Sequence, residues 1–294
     1  MADSPHQRSI LSGDLRLAVR EYGDPNAPTL VAVHGYPDNQ TMWEPVARLL
    51  QDRFHVVTYD VRGAGASEAP RTRSGYVSER LVDDLVAVMD ATAPGRPVHL
   101  LGHDWGSLQL WDAVTTESSD DRLRGRILSY TSISGPSLDH MAHFARTMPA
   151  DVRRQQARRS WYVAFFHLPV VPDLMWRLLH PVVGAQMARR EGLPRSAWGP
   201  DLARDGDNGL DLYRANIFQR LRSPRPGLTD VPVQVVVARH DPFMSPQTFD
   251  ALDLNRFLST WHRVDVDSGH WVPRSDPEQV ARLVADWAQQ HAGR

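Results

Sequence analysis

The chain of 294 residues contains no cysteine and no lysine, and all 33 of its basic residues are arginine. Without cysteine, disulfides, thiolate nucleophiles and Cys-based metal sites are excluded. Without lysine, neither a Schiff base nor a P-loop ammonium is available. No apolar run approaches the roughly 20 residues of a membrane span. The start, Met1-Ala2-Asp3-Ser4-Pro5-His6-Gln7, is polar and has no apolar signal core. The formal charge is only −2, so no bulk attraction to nucleic acid or to an anionic membrane is expected. The lack of cysteine suits a reducing cytosol, and a cytoplasmic location is expected. The length allows a large α/β domain with an insertion and a sizeable core.

What is present is an alternation of short apolar runs and helical patterns. Leu15 to Tyr22 alternates apolar and polar residues like a half-exposed strand. Thr29 to Val33, His55 to Tyr59, Val98 to Leu101, Ile127 to Ile133, Val231 to Val237 and Trp261 to Val266 read as further strands. Ser78 to Thr92 has helical spacing, with Ser78 as the expected N-cap. Other helices are expected up to Thr116 and from Pro277 to Gln290. Strands separated by helices imply βαβ units and a parallel sheet. From Ser137 to Leu221 the β-rich runs stop, and arginine, tryptophan and proline become frequent. The expected division is a core of residues 1–136 and 222–294, with a helical cap of residues 137–221 over the C-terminal edge of the sheet.

The most informative stretch is Gly102-His103-Asp104-Trp105-Gly106, between the Val98 strand and a helix. A sharp strand-to-helix turn flanked by glycines holds its central residue exposed above a sheet. Aspartate stands there rather than serine. A carboxylate is already ionised at neutral pH, so it can attack a saturated carbon and become an ester. Strained or activated electrophiles are the substrates this chemistry suits. Asp104, Asp241 and His270 follow the chain order nucleophile, acid, base, each just past a strand. The bland alternatives are a helix-capping Asp104 and a turn-forming Asp241 before Pro242; Asp139 is the competing acid. The Tyr36 and Trp105 amides are the expected oxyanion donors. His34 is expected to fix the Tyr36 loop without touching substrate, with Gly35 and Pro37 beside it. His140 and His143 are three residues apart, but no third ligand accompanies them, so no metal is expected. His99 and His103 read as packing or supporting groups, and Arg153, Arg154, Arg158 and Arg159 as a solvated helix face.

His34-Gly35-Tyr36-Pro37, the Asp60 to Ser67 stretch, Gly102 to Gly106, Asp241 and Gly269-His270 together resemble the epoxide hydrolase and haloalkane dehalogenase branch of the α/β-hydrolases, over nearly the full length. The resemblance implies a mostly parallel eight-stranded sheet with helices on both faces and a helical cap. It also implies two lid tyrosines whose hydroxyls grip an epoxide oxygen. Ser160 to Phe166 is similar to the first such motif and places Tyr162; Leu212 to Asn216 is similar to the second and places Tyr213. A closer likeness is to the hydrolase half of actinobacterial epoxide hydrolases fused to a short-chain dehydrogenase, carried by Ser160 to Leu178 and Asn208 to Leu221. No glycine-rich dinucleotide motif follows, so neither NAD nor any other cofactor is expected. Whether the chain stands alone or belongs to a fusion is left open, as is self-association. The expected activity is conversion of a small apolar epoxide to a vicinal diol through an Asp104 ester that His270-activated water hydrolyses. Two rivals remain. One is a dehalogenase whose Trp105 indole holds the leaving halide, lowered because Tyr36 stands where that branch usually carries asparagine. The other is a non-catalytic relative that binds a small apolar ligand.

Overall fold

The computed structural model describes residues 4–145 and 147–293; Met1, Ala2 and Asp3 of the polar start lie outside the described residues. Among the described residues eight strands form one sheet in the order β1-β2-β4-β3-β5-β6-β7-β8. They are β1 (His6–Ser12), β2 (Leu15–Tyr22), β3 (Thr29–Val33), β4 (His55–Tyr59), β5 (Val98–His103), β6 (Ile127–Ile133), β7 (Val233–Ala238) and β8 (Trp261–Val266). The β1–β2 and β2–β4 pairs are antiparallel, and the remaining pairs are parallel. Strands β3 to β7 are buried along their whole length, which is why they read as unbroken apolar runs. Their side chains alternate between two cores: Val31 and Val33 face one, Leu30 and Ala32 the other.

Helices cover both faces. α1 (Glu44–Leu50) and α11 (Pro277–Gln290) pack together on one side; α2 (Ser78–Thr92) and α3 (Trp105–Thr116) lie on the other. Between β6 and β7 run α4 (Leu138–Phe144), α5 (Ala150–Arg159), α6 (Trp161–Phe166), α7 (Val171–Glu191) and α8 (Leu202–Arg222). Short helices α9 (Pro246–Ala251) and α10 (Val272–Ser275) follow β7 and β8.

The seven strands read from the sequence are present, with the Val231 run starting its pairing at Val233. The eighth, β1, lies outside those seven. It is mostly exposed and polar, and only Ile10 and Ser12 are buried. Its signal was the two-residue Gly13-Asp14 turn, with Gly13 at φ +60° and Ser12 paired to Leu15. One capping expectation is corrected. Val77, not Ser78, occupies the N-cap of α2, and Ser78 is already helical. The acceptor comes instead from α8: Asn216 Oδ1 takes hydrogen bonds from the Ser78 N–H at 2.8 Å and its hydroxyl at 3.0 Å. A distant side chain thus supplies what a local one was expected to supply.

α8 ties the helical segment to the sheet. Asp205 accepts from the Gly65 amide at 3.0 Å and the Asn39 side chain at 2.9 Å. At the other end Arg220 bridges Asp112 and Asp139 at 2.7 and 2.8 Å, all three buried.

Candidate active site

Asp104 sits between β5 and α3 at φ 51°, ψ −121°. A non-glycine residue at positive φ costs on the order of 1–3 kcal/mol and persists only where its surroundings hold it. Here they do so by close approach. A Cβ on Gly35 would lie 2.5 Å from Asp104 Cβ and 2.6 Å from its Oδ1, and one on Gly106 would collide with the Val33 carbonyl. The two glycines let the turn and the β3 loop nest.

The carboxylate is held at both oxygens. The Tyr36 amide donates to Oδ1 at 2.7 Å, and Oδ2 lies 3.6 Å from His270 Nε2. Trp105 opens α3, so its N–H has no partner within the helix. The other face of His270 meets Asp241: Nδ1 donates to Oδ2 at 2.7 Å. Asp241 Oδ1 accepts from the Phe243 and Met244 amides at 2.7 and 2.9 Å. Burial disfavours the His270 cation, but the Asp241 and Asp104 carboxylates outweigh it and raise its pKa to about 10. Burial also works against the Asp241 charge; the His270 cation and those hydrogen bonds prevail and hold it below the ordinary carboxylate range.

His34 is buried and neutral by geometry. Its Nδ1–H donates to the Gly35 carbonyl at 2.9 Å, and Nε2 accepts from the Val61 amide at 2.9 Å. Burial lowers its pKa, against the pull of Asp60. The ring therefore joins the loops after β3 and β4. Tyr36 and Pro37, linked by a cis peptide, border the cavity above Asp104.

That cavity has a volume of about 280 Å³. Asp104 and His270 form its floor; Tyr162 of α6 and Tyr213 of α8 reach it from above, their rings 6.0 Å apart and nearly perpendicular. Most of the remaining wall is apolar, with Phe165, Phe166, Trp176 and Phe243 prominent. Burial, reinforced by the Asp104 charge, raises both phenols well above the ordinary tyrosine range. Both stay protonated and able to donate. Arg214, next to Tyr213, donates to the Phe166 carbonyl at 2.8 Å and pairs with Asp173 at 2.7 Å. It ties the helix carrying one tyrosine to the end of the helix carrying the other.

The remaining candidates have other partners. Asp139 is locked by Arg220 and the Arg225 amide and does not meet His270. His140 and His143 each donate through Nε2 to a backbone carbonyl, of Gly227 and Arg225. No group of three ligand-type side chains suited to a metal occurs among the described residues. His99 bonds Ser129. His103 donates to the His270 carbonyl at 2.9 Å and packs 4.8 Å from its ring; burial first, then the His270 charge, lower it to about 4. The Trp105 ring packs edge-on against Tyr213 at 4.9 Å and borders a small adjoining void of about 20 Å³.

Several neighbours of the site lie outside the sequence candidates. Phe243 and Trp271 pack 4.9 and 4.7 Å from the His270 ring. Phe243 follows Asp241 by two residues and Trp271 follows His270 directly, and that proximity is the available signal. Glu191, from the end of α7, accepts from the Trp271 amide at 3.1 Å; nothing local announced it.

Residues 28–277 match the α/β-hydrolase fold family. The chain belongs to that family. It is 36% identical over 290 residues to probable oxidoreductase EphD of Mycobacterium tuberculosis, covering 93% of this chain and 48% of that protein. It is 30% identical over 172 residues to epoxide hydrolase A of the same organism, covering 58% of this chain and 50% of that one. The chain thus spans about half the length of these relatives. The fold of this family member is also that of the Bacillus megaterium epoxide hydrolase solved with an inhibitor: TM-score 0.78, 20% identity, 97% of this chain and 100% of the other. The Vigna radiata epoxide hydrolase VrEH1 is similar at TM-score 0.77, with 20% identity over 97% of this chain and 98% of that chain.

Proposed function

We propose that this α/β-hydrolase is an epoxide hydrolase that forms and then hydrolyses an alkyl ester on Asp104. The observation that carries the proposal is one largely apolar cavity bordered by a carboxylate, an imidazole paired to a second carboxylate, and two protonated phenols. The named activities of the epoxide hydrolase relatives support it. Residues 137–221 act as the cap that supplies the phenols, and residues 1–136 and 222–294 as the core.

Asp104 Oδ1 is occupied by the Tyr36 amide, so Oδ2 is the attacking atom. It bonds to a ring carbon as the ring C–O bond breaks, with Tyr162 and Tyr213 donating to the departing oxygen. Asp104 loses its charge in becoming an ester. His270 then loses one of the two anions that hold its proton; a phenol passes its proton to the ring oxygen, which becomes a hydroxyl, and the proton released by His270 restores the phenol by way of solvent. Neutral His270, oriented by Asp241, takes a proton from water as the water oxygen attacks the ester carbon. Negative charge develops on Oδ1, beside the Tyr36 and Trp105 amides; one such donor is worth about 3 kcal/mol. Collapse breaks the bond between the acyl carbon and the ester oxygen Oδ2, which leaves with the alkyl group. The released alkoxide takes the hydrogen that water brought to the carboxyl, and a diol leaves beside Asp104 and the His270 cation.

No helix among the described residues is long and apolar enough to cross a membrane, and the cytoplasm is where this reading places the reaction. Diol formation from a panel of styrene-type, alicyclic and alkyl epoxides tests it. Turnover of at least one is expected; halide release from haloalkanes with no diol from any epoxide would overturn it.

A further inference from the structure

The cavity opens beside a second concavity that the reaction does not use. A surface groove of about 630 Å³ shares Trp161, Arg190 and Phe243 with the cavity wall. Arg154, Arg158, Arg159 and Arg190 border it, against one carboxylate, Asp151. Arg154 and Arg158 are one turn apart on α5, a like-charge spacing that disfavours a helix on its own. Arg159 is engaged at the Asp241 backbone carbonyl. Neighbouring arginines of α7 and α8 have partners, Arg177 with Asp207 and Arg214 with Asp173. Arg154, Arg158 and Arg190 enter no ion pair among the described residues. Among the described residues, Arg190 is the only charged side chain bordering the cavity besides Asp104 and His270. A largely apolar chamber and an arginine-lined groove thus share one wall.

We propose that this groove is an anion-binding subsite and that the substrate is an amphipathic epoxide. Its alkyl portion fills the chamber, and its distal carboxylate or phosphate lies against Arg154, Arg158 and Arg190. An anion at that end is kept away from Asp104, which would repel it if the molecule entered reversed. The epoxide in this statement rests on the function proposed above; the subsite is tested without turnover.

Calorimetric titration with decanoate, decyl phosphate and 1-decanol, at low and high salt, makes the comparison. Both anions should bind at least about tenfold more tightly than the alcohol, and added salt should shrink that ratio. The tighter of the two anions identifies the headgroup. Arg154→Glu with Arg158→Glu should abolish the preference, and the milder Arg154→Gln with Arg158→Gln should reduce it. Equal binding of acid and alcohol would overturn the subsite, as would a preference that survives both double variants. A preference that these variants remove, in a protein that forms no diol from any epoxide, would retain the subsite and overturn the epoxide reading.

Discussion

Nδ1 of His270 donates to Oδ2 of Asp241 across 2.7 Å, with both side chains buried. The opposite ring nitrogen points at Asp104, 3.6 Å from Oδ2. One imidazole is therefore held as a cation between two carboxylates, and the loss of either charge releases its proton more easily.

A pH dependence follows from that arrangement. In the resting protein burial opposes the His270 cation, yet the carboxylates hold its pKa at about 10. In the proposed reaction ester formation needs no free imidazole, so its single-turnover rate should not rise with pH through the His270 midpoint. Hydrolysis of the proposed ester needs neutral His270 in a protein whose Asp104 is esterified. Its rate should rise with pH through a midpoint below about 10. Asp241→Asn should move that midpoint down and slow hydrolysis by roughly 10²–10⁴-fold. Rapid-quench measurement of the two steps would show this; a hydrolysis midpoint unmoved in Asp241→Asn would count against the pairing as its cause.

The roles proposed for Tyr162 and Tyr213 are tested separately. Tyr162→Phe and Tyr213→Phe each remove one donor from the cavity and leave the ring packing in place. Together they should slow ester formation by at least roughly a hundredfold, with melting temperature little changed. Unaltered single-turnover ester formation in the double variant would remove both residues from the reaction.

Gly35→Ala tests how the carboxylate is aimed. The new methyl would sit 2.6 Å from Asp104 Oδ1, so the side chain or the β3 loop must move. Displacements of about 1 Å can cost about a hundredfold in rate. Loss of that order is expected in a protein whose circular dichroism is native. Full activity would mean that the close approach of loop and elbow does not matter.

The seam between α8 and the sheet is tested by stability. Arg220→Met removes the buried cation that bridges Asp112 and Asp139 and leaves Asp112 only the Arg225 guanidinium, 4.0 Å away, which should cost about 3–5 kcal/mol in urea unfolding. Arg177→Ala removes a solvent-exposed pair with Asp207 and should cost less than about 1 kcal/mol. Equal small effects would contradict the idea that the Arg220 cluster holds the helical segment down.

Much of this architecture was legible because the parallel strands are buried on both faces. Continuous apolar runs such as Thr29–Val33 and Ile127–Ile133 leave little ambiguity. The strand–glycine–helix context of Asp104 and the chain order of Asp241 and His270 pointed to one end of the sheet, where all three are found. What escaped was decided at long range or at the edge. β1 is an exposed polar strand that takes its order from β2. Ser78 is capped by Asn216, 138 residues away. Asp139 competed with Asp241 on sequence alone; only packing shows that Arg220 claims one and His270 the other. The paired roles of Arg214 and Glu191 likewise arise from helices meeting in space.

The most direct measurement is intact-mass spectrometry of His270→Gln after incubation with an epoxide that the unaltered protein hydrolyses. Ring opening should proceed and hydrolysis should stall, leaving a protein heavier by one epoxide, with the added mass mapped to Asp104. An unmodified variant, or an adduct on any other residue, would contradict the proposed ester.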